Sequence, residues 1–274
     1  MTRSFLRRFA KTRRLFERFY MPRPWFRRGG ASEAESGKRL FSFHRLDLEE
    51  TFSKRGCAVC LLLKRYDVRR LDALLYESVN DVFVRDMIRK SLGFCNYHSS
   101  VMGEIAASVG GDLLSASGAP LGIGMIHIDL VETIIQQLKV GTILNRVRRH
   151  SRDQREICPI CRGRGELELA YLQTIVRGVS DFDFREKYLK ADGLCATHLI
   201  KALKLQDPYV NRQTLAAIET LQLERLAEDL REFIRKHDYR YSKEGSGKEA
   251  DSWLRALRKI SGEPFAAINR ESPM

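Results

Sequence analysis

Six cysteines and two of the histidines stand in two copies of one pattern. The first copy reads Cys57-Ala-Val-Cys60, then 34 residues, then Cys95-Asn-Tyr-His98. The second reads Cys158-Pro-Ile-Cys161, then 33 residues, then Cys195-Ala-Thr-His198. A Cys-x-x-Cys turn lets two thiolates reach one ion, and a Cys-x-x-His at a helix start adds a third thiolate and an imidazole. Three sulfurs and a nitrogen make a closed tetrahedral set that suits zinc and not the hard cations magnesium or calcium. Four ligands leave no position for a reacting water, which disfavours a hydrolytic centre. An iron–sulfur cluster is the alternative occupant of the same set. A lone cysteine is more often a small buried hydrophobe, and a lone Cys-x-x-Cys can be a redox pair. Neither reading explains why a Cys-x-x-His follows each pair at nearly equal distance. The expectation is two zinc ions, one held by Cys57, Cys60, Cys95 and His98 and the other by Cys158, Cys161, Cys195 and His198, each copy closing around its own ion.

The likeness extends past the ligands. At a constant offset of 100, Val79, Asp81, Arg85, Gly93, Cys95 and His98 meet Val179, Asp181, Arg185, Gly193, Cys195 and His198, whereas the Cys-x-x-Cys pairs meet at 101. Self-similarity of this kind reads as an internal duplication. Apolar periodicity predicts a helix over 61–79, with Leu63, Leu71, Leu74, Leu75 and Val79 inward, and its equivalent over 163–179. Short helices over 82–91 and 182–191 start at the N-cap residues Asp81 and Asp181 and stop at Gly93 and Gly193. The Cys-x-x-His motifs open helices over 96–108 and 196–206. A long helix over 125–150 is expected to bury Ile128, Val131, Ile135, Leu138 and Leu144. Its counterpart over 209–238 is expected to bury Leu215, Ile218, Leu221, Leu226, Leu230 and Phe233. No segment alternates with period two between turn signals, so the fold class is all-α: two pseudo-equivalent metal-pinned helical units.

Several residues are read structurally. Arg85 and Arg185 are expected to pair with the capping aspartates, and His44, His127, His150 and His237, which do not repeat, to be surface or packed residues. The glycines from Gly110 to Gly124 read as an inter-helix loop, since no Gly-Lys-Ser/Thr follows them. A short helix beginning at Asp251 or Ser252 is expected to dock on the body through Trp253, Leu254, Leu257 and Ile260.

Charge divides the chain differently. Residues 1–30 carry ten basic residues and one acid, so +9 of the net +13 lies there. Phe5, Phe9, Phe16 and Phe19 recur at helical spacing among those arginines, which predicts a basic amphipathic N-terminal helix ended by Pro22 and Pro24. Such a helix suits an anionic membrane surface or a protein partner's groove, and nucleic acid less well, because the body lacks a basic recognition helix. The expected organisation is an arm and linker over 1–39, metal-binding units over 40–150 and 151–242, and a linker with a short helix over 243–274. Hydrophobic residues at 43% and charged residues at 30% describe a globular chain and not a disordered one. No apolar run approaches the ~20 residues of a membrane span. A cytoplasmic protein, in peripheral membrane contact at most, is expected.

With its Leu71-to-Asp81 stretch and its paired Cys-Pro-x-Cys and Gly-[Phe/Leu]-Cys-x-x-His motifs, the region 52–205 resembles an uncharacterised prokaryotic family of helical repeats. Ala58 stands where that family usually has Pro, as Pro159 does in the second copy. The resemblance implies a metal-binding helical protein without an established activity. No nucleophile with its base, cofactor fingerprint or carboxylate pair marks an enzyme. The sequence reading is thus a non-enzymatic metal-binding scaffold for interaction or assembly, with an iron–sulfur electron-transfer or cofactor-maturation protein as the alternative and a nucleic-acid binder as the second.

Overall fold

A computed structural model describes residues 43–108, 118–141, 158–206, 211–241 and 244–263; these are helices and connections, with no strand among the described residues. The basic segment 1–30, Leu144 and His150 lie outside the described residues. After a leading helix α1 (43–51), one succession of elements occurs twice. It runs α2 (Ala58–Tyr76), α3 (Val82–Ser91), α4 (Asn96–Ser108) and α5 (Gly118–Lys139), then α6 (Pro159–Gly178), α7 (Phe182–Lys190), α8 (Ala196–Leu203) and α9 (Arg212–Lys236). A 3-10 turn (Tyr239–Tyr241) and helix α10 (Ser252–Ser261) follow. Among the described residues no helix is long and apolar enough to cross a membrane.

Local chemistry accounts for the element ends. Cys57 and Cys158 are extended N-cap residues, and Pro159 occupies the first turn of α6, where its missing amide costs nothing. Asp81 caps α3 by accepting from the amides of Phe83 (2.8 Å) and Val84 (3.0 Å), and Asp181 caps α7 through Phe184 (3.0 Å). The arginines four residues on do not pair with these caps. Arg85 donates to the Val79 and Met125 carbonyls at 2.6 and 2.5 Å, and Arg185 reaches the Val179 carbonyl. Each arginine therefore ties α3 or α7 to the turn before it.

Helices α2 and α6 form the antiparallel centre of the molecule. Val59, Leu62 and Leu63 pack with Tyr171, Leu172 and Ile175 at one end, while Arg164 reaches Asp67 toward the other. Each buried cluster draws on both series. One joins Leu48, Phe52 and α2 to Phe184, Leu194 and Leu215; the other joins Leu71, Leu75, Ile88, Met102 and Ile126 to Ile160.

Three expectations about the long helices and α10 are corrected. Helix α5 begins inside the glycine stretch, because Gly122 lies against the Leu75 carbonyl, where a Cβ would come within 2.6 Å. That close approach turns α5, so Ala119, Ile126 and Leu130 are buried while Ile128, Val131, Ile135 and Leu138 are exposed. In α9, Leu215 and Ile218 are buried as expected and Leu226, Leu230 and Phe233 partly so, but Leu221 is exposed. Farther along, α9 turns inward Glu219, Gln222 and Asp229, whose partners include Tyr188, Lys259 and Arg255. These partners explain the third difference: α10 docks through Ser252 and Lys259, leaving Trp253, Leu257 and Ile260 at least half exposed.

Candidate metal centres

The eight predicted residues do gather into two groups of four, but across the series. Cys57 and Cys60 meet Cys195 and His198; Cys95 and His98 meet Cys158 and Cys161. Within each group all four potential ligand atoms lie within 4.8 Å of one another. The expectation that each copy closes around its own ion is therefore overturned. Antiparallel packing of α2 on α6 is the physical reason: it sets the N-terminus of each beside the Cys-x-x-His helix of the other series.

Within each group the four side chains stand close enough to hold a metal in common. In the first, His198 Nδ1 is 3.4 Å from the Sγ atoms of Cys57 and Cys60 and 3.2 Å from that of Cys195, and Cys60 and Cys195 are 3.7 Å apart. In the second, His98 Nδ1 is 3.2 Å from Cys95 and 3.4 Å from Cys158 and Cys161, with Cys95 and Cys161 3.5 Å apart. A tetrahedron with metal–sulfur bonds of about 2.3 Å and metal–nitrogen bonds of about 2.0–2.1 Å has N···S edges near ~3.6 Å and S···S edges near ~3.8 Å. The sulfurs are too far apart for disulfides, and all six cysteines are free.

Each imidazole presents Nδ1 to the sulfurs and turns Nε2 to a carboxylate. His98 Nε2 lies 3.2 Å from Asp67, which is wholly buried and also accepts from Tyr97 (2.5 Å) and Arg164 (3.1 Å). His198 Nε2 lies 3.0 Å from Glu168, which Lys201 holds at 2.6 Å. A carboxylate behind a histidine fixes its tautomer and orientation and strengthens its donor nitrogen. Sequence reasoning missed these two residues, although Asp67 and Glu168 stand at the same offset of 101 as the Cys-x-x-Cys pairs. Their role became visible only with the histidines beside them.

Gathering three thiols around an imidazole perturbs their protonation. Burial opposes a charge on His98, but bonds to Asp67 and Cys158 raise it to about 9. Burial likewise opposes His198, which Cys195, Cys60 and Glu168 raise to about 11. Burial works against the Cys158 thiolate, but His98 and the Cys95 and Cys161 backbone bring it down to about 6. Hydrogen bonds from Cys57 and Cys60 push Cys195 far down, whereas burial pushes Cys57 up. In each group one thiol is thus pushed down while another, Cys57 or Cys161, is pushed up by burial and holds its proton more tightly. A bound cation would displace those protons, coupling its affinity to pH.

The first group also has a lid. Gly262, at the end of α10 with φ +86°, would set a Cβ 3.3 Å from Cys60 Sγ and 3.6 Å from Cys195 Sγ. Of the unrepeated histidines, His44 packs edge-on against Tyr171, and His127 and His237 bond to carbonyls one helical turn back.

Comparison with known proteins gives relatives without an assigned activity. The model of a family of unknown function (DUF6062) matches residues 42–267. An "Uncharacterized 23.9 kDa protein in xynA 3'region" from Caldicellulosiruptor sp. (strain Rt8B.4) is 26% identical over 220 residues, covering 78% of this chain and 98% of that protein. No solved structure matches.

Proposed function

The chain belongs to a family of unknown function, so its role has to be read from its own geometry, and from that geometry we propose a non-enzymatic scaffold held together by two zinc ions. Cys57, Cys60, Cys195 and His198 bind one ion, and Cys95, His98, Cys158 and Cys161 bind the other. The observation that carries this reading is the tetrahedral spacing of both groups, with a carboxylate behind each histidine. An iron–sulfur cluster would place several iron and sulfide atoms between its ligands and splay them wider than a single ion does. Four protein ligands fill the coordination shell of each ion, so the ions serve structure and not catalysis. Because each ion takes two ligands from each series, it rivets the two halves together. The matching order of the two helix series supports an origin by internal duplication. Residues 1–30, with +9 of the net charge, serve as the arm that finds a partner protein or an anionic membrane surface.

Elemental analysis and an absorption spectrum of anaerobically purified protein test the metal. The reading requires two zinc ions per chain and a colourless protein; stoichiometric iron with broad visible absorption would replace it with clusters.

A further inference from the structure

A cationic cavity opens beside the first centre. It has a volume of about 210 Å³, and Cys57 and Cys195 form part of its wall. Helix α10 contributes Arg255, Arg258 and Lys259 to the lining. Lys190 from the end of α7, Arg225 from α9, and Arg55 and Lys248 from the connections complete its positive charge. Asp192 and Asp229 are the two lining carboxylates.

These cations are not all neutralised. Asp192 is engaged by Arg55 (3.2 Å) and the Gly56 amide (2.7 Å), and Asp229 by Arg255 (3.0 Å) and Lys248 (3.3 Å). Outside the lining, Glu219 holds Lys259, Asp251 holds Arg255, and Glu263 lies 3.5 Å from Arg258. Leaving aside the neighbouring metal centre, seven cations against these five carboxylates leave two positive charges over. They are identifiable: neither Lys190 nor Arg225 has a carboxylate partner among the described residues, and Arg225 bonds the Leu189 carbonyl instead. Both are exposed, while Lys259 lies buried deeper in the wall. Arg258 Nε faces Glu263 Oε2 and, like Gln222 Oε1, is closed off from solvent.

We infer that this cavity binds a small phosphate compound, with Lys190 and Arg225 gripping phosphoryl oxygens at its mouth. Guanidinium and ammonium groups recognise phosphate through charge-assisted hydrogen bonds, and arginine does so in a two-pronged manner. A carbon skeleton attached to the phosphate would fill more of the cavity than a bare anion does, which favours a small ester. At ~30 Å³ per water the volume corresponds to about seven waters, enough for a phosphate on a short carbon skeleton. The inference is independent of which metal occupies the neighbouring centre.

Calorimetric titration of the purified full chain tests it, using inorganic phosphate, pyrophosphate, ribose 5-phosphate and ATP as probes and sulfate as the control anion. Ribose 5-phosphate should bind saturably with one site per chain and more tightly than inorganic phosphate or sulfate. Lys190→Gln with Arg225→Gln should weaken it about tenfold, with metal content and helicity unchanged. Should the double variant fold poorly, each exposed single variant should weaken binding by about threefold. Lys139→Gln, an exposed lysine on α5, should leave binding unchanged. The inference is overturned if no phosphate compound binds saturably, if the cavity variants bind as the parent does, or if Lys139→Gln weakens binding equally. Tighter binding of ATP or pyrophosphate than of ribose 5-phosphate would overturn the assignment to a small ester.

Discussion

Replacing Asp67 with Asn should loosen one metal centre, and it should be the centre more distant along the sequence. Asp67 lies on α2, seven residues after Cys60, yet its carboxylate backs His98 of the other group. The carboxylate is wholly buried and serves three donors: His98, Tyr97 and Arg164. Asparagine keeps an acceptor for His98 but turns the second oxygen into a donor aimed at Arg164. Loss of a carboxylate behind a metal-bound histidine costs 10–100-fold in affinity, and the three-donor burial places this case at the upper end, about 100-fold or ~2.8 kcal/mol. A competition titration of the zinc-loaded protein with a chromophoric chelator should resolve one weakened ion and one unchanged. Alkylation at the point of first release should then mark Cys95, Cys158 and Cys161. Equal weakening of both ions, or first alkylation at Cys57 and Cys60, would refute the reasoning.

Other consequences follow from individual contacts. Gly122→Ala should destabilise by about 1–3 kcal/mol in denaturant melts, because its Cβ would meet a backbone carbonyl, while Gly124→Ala, with open space around it, should stabilise by up to ~1 kcal/mol. Lys259→Met should cost about 3–5 kcal/mol by leaving the buried Glu219 without its cation, and limited proteolysis should then cut before α10. Burial raises Glu49, but Lys187 and Arg45 outweigh it and hold the carboxyl below its usual value of 4.5. Its stabilisation is therefore complete above 4.5 and lost as pH falls through the lowered folded value. Unfolding free energies of the parent and Glu49→Gln should differ at neutral pH by no more than ~1 kcal/mol, since Lys187 is half exposed, and converge on acidification.

The ligand set and the helical succession could be read from the chain, because thiolate spacing and N-cap aspartates are local signals. Cys57, Asp81 and Asp181 all occupy the helix starts that their types favour. Which Cys-x-x-Cys meets which Cys-x-x-His is not local. It depends on α2 and α6 packing antiparallel, and near-equal loops of 34 and 33 residues favour neither pairing. Periodicity also misassigned the faces of α5 and α10, for different reasons. On α5 the close seat of Gly122 on Leu75 overrides the apolar stripe. On α10 a lysine buried against Glu219 wins the docked face from Trp253 and Leu257. A buried ion pair across two distant helices leaves no periodic trace in a sequence.

The exchanged pairing is the central claim, and thiol labelling of a half-dismantled protein tests it most directly. In zinc-loaded protein carrying Cys158→Ser and Cys161→Ser, an alkylating reagent followed by peptide mass mapping should modify Cys95 and spare Cys57, Cys60 and Cys195. The mirror variant, Cys57→Ser with Cys60→Ser, should expose Cys195 and spare Cys95, Cys158 and Cys161. Modification of Cys195 with protection of Cys95 in the first variant would contradict the account and return each ion to a single copy.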